Sequence, residues 1–164
     1  MVKFWTRITK GETMGLDQYA HLRNRKVNWR KYYEDDKDEQ KGVFVWRKHA
    51  RLQTFMNKMF EKQNEAQLKK EQEKEKDKEF NPFDCSHLGM NGDDEVYITT
   101  DVVKDLEKEI KEGYHNSFTS DGFFWGQQWQ EQAVKEYKAQ DLEFLDYCKK
   151  AIKDGKVVVY SSSW

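Results

Sequence analysis

Proline occurs once, at Pro82, and cysteine twice, at Cys85 and Cys148. Two distant cysteines in no ligand spacing build no disulfide framework and suit a reducing compartment. No apolar run approaches the roughly 18 residues of a membrane-spanning helix, and no apolar core of a secretory signal is present. A cytosolic protein with no membrane partner is therefore expected. Net charge is scarce too. The 29 basic and 30 acidic residues leave −1, so any affinity for nucleic acid has to come from a local patch. Catalytic signatures are missing as well: there is no Gly-x-Ser-x-Gly, no Walker-type loop and no dinucleotide glycine motif. His21, His49, His87 and His115 are scattered in no recognised spacing. No catalytic residue, cofactor or metal is read from the chain.

What is present is charge and aromatic rings together. The charged fraction is 36% and the mean hydropathy is −1.10, which alone would suit a disordered chain. The aromatic fraction of 15% opposes that, because disordered chains are poor in rings. The two reconcile if the charge is confined to particular stretches. A length of 164 residues fits a single domain with a real core. Residues 1–13 read as an N-terminal arm and residues 61–79 as a charged helical extension.

Strands are expected near Leu16–Leu22, Val27–Tyr33, Val43–Trp46, Val96–Thr99 and Lys156–Tyr160, the last being the clearest and the expected centre of a sheet. From about Arg47 the period changes: Leu52, Phe55, Met56, Met59 and Phe60 mark one face of a helix. Helix-forming Glu, Lys, Gln and Ala continue to Glu79, a reach of about 50 Å if helical throughout. Thr100 suits an N-cap, Val103, Leu106 and Ile110 a helix face, and Gly113 the C′ position. A long helix is expected over 128–153, with Ala133, Val134, Tyr137, Phe144, Leu145, Cys148 and Ile152 facing inward. Ser120–Trp129 carries four large rings between two glycines and reads as a buried corner. The fold class is α+β: a small, mostly antiparallel sheet covered by about three helices, one with a long charged extension.

Three stretches carry candidate chemistry. Arg23, Arg25, Lys26, Arg30 and Lys31 stand beside Trp29, Tyr32 and Tyr33. Such a ribbon meets phosphates with its cations and stacks bases on its rings; a solvated strand with core aromatics explains the same residues. Arg47, Lys48 and His49 open the first long helix, where cations oppose the helix dipole. That placement points to an anion there: a carboxylate, such as Asp17 or the chain-terminal carboxyl of Trp164, or a phosphorylated substrate. Asp84-Cys85-Ser86-His87 offers metal-ligand types, but structural zinc takes four ligands in tighter spacings, so a polar turn is the expected reading. The candidate binding residues are Arg25, Lys26, Trp29, Arg30, Arg47, Lys48 and His49.

Four landmarks occur in order: Met14-Gly15-Leu16-Asp17-x-Tyr19, Trp46-Arg47-Lys48, Gly122-Phe123-Phe124-Trp125-Gly126 and Tyr160-Ser161-Ser162-Ser163-Trp164. This order resembles a family of small uncharacterised proteins of tailed bacteriophages that start Met-Gly-Leu-Asp and end Tyr-x-Ser-Ser-Trp. The chain departs from the pattern in residues 1–13, which precede the usual start, and in the charged stretch after Phe60. It also lacks a histidine that the family tends to carry near Leu52–Met56. The resemblance implies a phage protein in the host cytoplasm and no particular mechanism. The leading expectation is a non-enzymatic accessory protein that binds and modulates a host protein. The alternatives are a nucleic-acid binder using residues 23–33 and a small enzyme acting on a nucleotide or phosphorylated substrate.

Overall fold

The computed structural model describes residues 15–75, 90–117 and 127–164. Its four strands form one antiparallel sheet in the order β2-β1-β4-β3: β1 (Asp17–Leu22), β2 (Phe44–Arg47), β3 (Val96–Tyr97) and β4 (Val158–Ser163). The α+β class is as the sequence pattern implies. Asp17 sits opposite both Arg47 and Ser163, and Ala20 opposite both Phe44 and Tyr160. Because side chains alternate across a strand, this register puts Gln18, Ala20, Trp46, Tyr160 and Ser162 on one face, where all five are buried. The last strand is interior to the sheet, as expected, and it runs three residues further than its apolar stretch.

The helices are α1 (Trp29–Tyr33), α2 (Lys37–Gln40), α3 (Ala50–Gln63), α4 (Glu65–Glu75), α5 (Thr100–Lys111) and α6 (Gln127–Lys153), with a 3-10 turn at His115–Ser117. Leu52, Phe55, Met56 and Met59 of α3, Val102, Val103, Leu106 and Ile110 of α5, and Phe144, Leu145 and Cys148 of α6 join the sheet's inner face in one core. Rings knit that core: Trp46 meets Phe144 edge-on at 5.1 Å, and Phe44 meets the same ring at 5.1 Å. Burial pushes the Cys148 thiol well above its ordinary pKa, so it serves as packing.

Several expectations are corrected. Val27–Tyr33 is not a strand. Asn28 accepts the Lys31 backbone N–H at 3.3 Å and caps α1. Trp29, Tyr32 and Tyr33 then fall on one helical side by their spacing of three and four. The helix expected from Arg47 begins at Ala50 instead. Arg47 pairs within β2, and Lys48 turns the corner with φ +58°. The helix also breaks at Asn64, whose side chain and backbone N–H both donate to the Phe60 carbonyl. Beyond it α4 is charged, with exposed residues wherever its side chains are described. At α5 the cap is Thr99 rather than Thr100, its side chain accepting from Val102. Gly113 has φ +66°, as the C′ position demands. Gly42 has φ +75°, and a Cβ there would lie 2.8 Å from the Tyr147 hydroxyl. Residues 1–13, the aromatic corner at 120–126 and the Asp84–His87 turn lie outside the described residues.

Both sheet edges are closed by side chains. At β2 the Tyr137 hydroxyl accepts from the Arg47 N–H at 3.0 Å and donates to the Arg47 carbonyl at 3.3 Å. Gln140 donates to the Val45 carbonyl at 2.7 Å. At β3 the Gln63 amide accepts from the Tyr97 N–H at 3.0 Å and donates to its carbonyl at 2.7 Å. An unpaired edge invites another strand; here helix side chains occupy those groups.

Candidate functional site

Three elements converge on one buried carboxylate. Asp141 lies midway along α6, on the stripe that carries Tyr137, Leu145 and Cys148. The Trp46 indole N–H donates to its Oδ1 at 2.8 Å. His49 Nε2 and the Tyr114 hydroxyl each lie 2.8 Å from its Oδ2. A carboxylate only accepts, so Nε2 carries the imidazole proton and His49 Nδ1 is left over. That nitrogen is buried without a hydrogen-bond partner among the described residues. The imidazole stacks on Tyr137 at 5.5 Å and meets Tyr114 edge-on at 5.2 Å. His49 is 0% exposed, Asp141 1% and Tyr114 2%. Burial, and next the Asp141 charge, raise the Tyr114 phenol well above its ordinary pKa, so it stays a hydrogen-bond donor.

A second chain of amides and hydroxyls joins this centre to the last strand. Gln18 accepts from the His49 backbone N–H at 2.9 Å and donates to the His49 carbonyl at 3.0 Å. Its Nε2 donates also to the Tyr160 hydroxyl at 2.8 Å. Tyr160 in turn donates to Gln53 Oε1 at 2.6 Å. Gln53 donates to Ser162 Oγ at 2.9 Å and to the Met90 carbonyl at 3.3 Å. Each amide hydrogen of Gln18 and Gln53 finds an acceptor, so the orientation of both amides is set by their neighbours. Burial raises the Tyr160 phenol too. A histidine–aspartate pair is a common acid–base unit, but this one is enclosed by Trp46, Tyr114 and Tyr137, and its described neighbours bring no nucleophile to Nδ1. Its polar arms are spent joining β1, β2, β4, α3 and α6.

The other predicted binding residues do not gather around it. Arg47 lies 3.9 Å from Asp17 on the opposite sheet face, and Lys48 is half-buried at the strand-to-helix corner with its N–H on the Leu16 carbonyl. Trp164 is held elsewhere: its backbone N–H donates to Asn91 at 3.0 Å and its indole to the Met90 carbonyl at 2.9 Å. The Arg25 guanidinium turns inward, donating to the Lys41 carbonyl and, at 2.9 Å, to that of Glu39. Trp29 packs on Tyr19 at 5.0 Å, and Tyr32 and Tyr33 meet edge-on at 5.1 Å. Burial, followed by Tyr32 and Asp17, pushes the Tyr33 phenol up to about 12. Arg23, Lys26, Arg30 and Lys31 are exposed cations, and Arg30 pairs with Glu34 at 3.2 Å. Among the described residues no cluster of three His, Cys, Asp or Glu could hold a metal ion, and no helix is long and apolar enough to cross a membrane.

Comparison with protein-family models, curated proteins and solved structures gives no match to this chain. Asp141, Gln18 and Tyr114 were not singled out from the sequence. A signal existed for two of them: Asp141 is a lone carboxylate at an inward helical position, and Gln18 a lone amide between inward Leu16 and Ala20. Tyr114 followed a helix-ending glycine and offered no such pattern.

Proposed function

We propose that this chain is a non-enzymatic accessory protein of a tailed bacteriophage that binds and modulates a protein in the host cytoplasm. The observation that supports this reading is the use made of the histidine. The group best suited to acid–base chemistry among the described residues is sealed in the core at 0% exposure and bonded into the frame of the fold. The family resemblance supplies the biological setting. A rigid frame with closed sheet edges suits recognition through preformed surface features, since pre-organisation lowers the cost of binding.

The test is capture from lysate of a susceptible bacterium by the tagged chain. One host protein retained at near-equal stoichiometry, whose own activity changes on adding the purified chain, is the expected result. Turnover of a nucleotide or phosphorylated substrate by the purified chain, lost in a folded His49→Gln variant, would overturn it. So would a salt-sensitive shift of labelled single-stranded nucleic acid that disappears in a Lys26→Glu, Arg30→Glu, Lys31→Glu variant. Those three positions are chosen because Arg25 is committed to the α2 carbonyls.

A further inference from the structure

A cleft of about 370 Å³ opens where the turn between β3 and α5 meets the turn between α6 and β4. Its lining is aliphatic at Ile98, Ile152 and Val157 and also carries Tyr97, Arg23 and Lys156. The backbone holds these pieces firmly. The Arg23 N–H donates to the Val157 carbonyl at 2.8 Å, and the Ile98 N–H to the Val158 carbonyl at 2.9 Å. The Arg23 guanidinium carbon sits 5.1 Å from the centre of the Tyr97 ring, a cation–π placement that fixes the charge over the cleft.

Two features occur together at this place. Three large apolar side chains are exposed among the described residues, and two of them, Tyr97 at 39% and Val157 at 42%, line this one cleft. The charge pattern is the second. Some surface cations have a carboxylate partner: Arg30 pairs with Glu34, Lys69 with Glu65, and both Lys111 and Lys149 with Glu107. Arg23 and Lys156 have no carboxylate partner among the described residues, and no acidic side chain lines the cleft. Two cations beside aliphatic side chains, with no acid in the lining, form a complementary surface for anionic groups attached to aliphatic ones.

We propose that this cleft is the docking surface for an acidic, aliphatic segment of the protein partner. Carboxylates meet Arg23 and Lys156 while a Leu- or Ile-type side chain enters between Ile98, Ile152 and Val157. This inference rests on the binding function proposed above. Arginine and tyrosine are the residue types that concentrate binding energy at protein interfaces, and matched charge supplies orientation and rate of encounter. A nucleic acid is less suited, because two cations make no continuous track for a phosphate backbone. The volume lies near the low end of the range for pockets that engulf small ligands, about 300–1,000 Å³, and the cleft is open to solvent.

The test compares the wild-type chain with R23E/K156E, using K26E/R30E as the control. Both pairs are exposed cations, and unchanged circular dichroism and melting temperature establish that each variant folds. Host-lysate capture is the first arm. Retention of the partner by wild type and by K26E/R30E, with at least tenfold less by R23E/K156E, is expected. Equal retention by R23E/K156E would overturn the cleft and leave the binding function standing. Capture of nothing by any form would sink the binding function itself, and the second arm still decides the cleft. That arm measures fluorescence anisotropy of a labelled peptide of alternating Asp and Leu against its Lys–Leu counterpart. Salt-sensitive binding of the acidic peptide, weakened at least tenfold in R23E/K156E, is expected. Equal binding to both forms, or none, would overturn the proposal. Two further results would also overturn it: a self-association of the wild type, or an affinity for single-stranded oligonucleotide, that R23E/K156E abolishes.

Discussion

Removing the Asp141 carboxylate takes away the one acceptor that Trp46, His49 and Tyr114 share. Three buried donors would then face a hole. Each buried donor left without an acceptor costs about 1–3 kcal/mol, so with three of them Asp141→Ala is expected to lose about 3 kcal/mol or more by urea denaturation. Asp141→Asn is a sharper probe. Its amide has one oxygen for three donors: turned to receive His49 Nε2–H and the Tyr114 hydroxyl it opposes the Trp46 N–H, and turned to receive the Trp46 N–H it points its own N–H groups at His49 Nε2 and Tyr114. In the second orientation His49 could accept only by moving its proton to Nδ1, and that atom has no partner among the described residues. An unpaired buried polar group costs about 1–3 kcal/mol, so the Asn variant is expected between wild type and Ala. An Ala variant within 1 kcal/mol of wild type would show that the carboxylate is not the keystone described. The orphan nitrogen carries its own cost in the native protein, and the stacked Tyr137 ring and edge-on Tyr114 ring offset part of it through packing.

One device recurs at the scale of elements: a side chain bonds both the N–H and the C=O of a single residue. Gln18 does so at His49, Gln63 at Tyr97 and the Tyr137 hydroxyl at Arg47. Each clasp stands in for a neighbouring strand or turn at a place where the chain has none. Tyr137→Phe tests one of them cleanly, because it keeps the ring over His49 and removes only the oxygen. A loss of about 1–3 kcal/mol is expected from the two freed backbone groups. The opened β2 edge should also promote concentration-dependent association, visible by sedimentation. An unchanged midpoint and a monodisperse Phe variant would refute the closed-edge account. The same devices explain what could be read in advance. The strands at Leu16, Val43, Val96 and Val157 and the two helices ending at Gly113 and Gly155 were legible, because apolar period and glycine position are local signals. The strand expected at Val27 is a helix instead, because the helical spacing of Trp29, Tyr32 and Tyr33, and not the charge of Arg23–Lys31, carries the information. Clasps and the Asp141 centre join residues as far as 95 positions apart, and no local pattern announces such a partner.

Tyrosine is the ionisable type that connects these parts across the whole molecule, with eight in the chain. Burial is the leading cause that raises the phenols of Tyr19, Tyr32, Tyr33, Tyr114, Tyr137, Tyr147 and Tyr160 above their ordinary value. The sign of the consequence is definite. A phenol whose pKa is higher folded than unfolded binds more proton in the folded state. Its stabilisation is complete below the unfolded value near 10 and is lost as pH rises toward the folded value. For Tyr33 that window runs from about 10 to about 12; for Tyr114 and Tyr160 it extends higher. Because Tyr114 and Tyr160 belong to the same buried polar network, ionising either puts a second charge near Asp141 or strips the donor that Gln53 needs. Stability is therefore expected to be insensitive to these groups below pH 10 and to fall steadily above it. Phenolate absorbance near 295 nm, followed with far-ultraviolet circular dichroism, checks this. Tyr114 and Tyr160 should ionise only above pH 10 and together with loss of helix signal. Ionisation of all eight near pH 10 with the helix signal intact would mean that the interior is wet, and the sealed polar centre would fall with it.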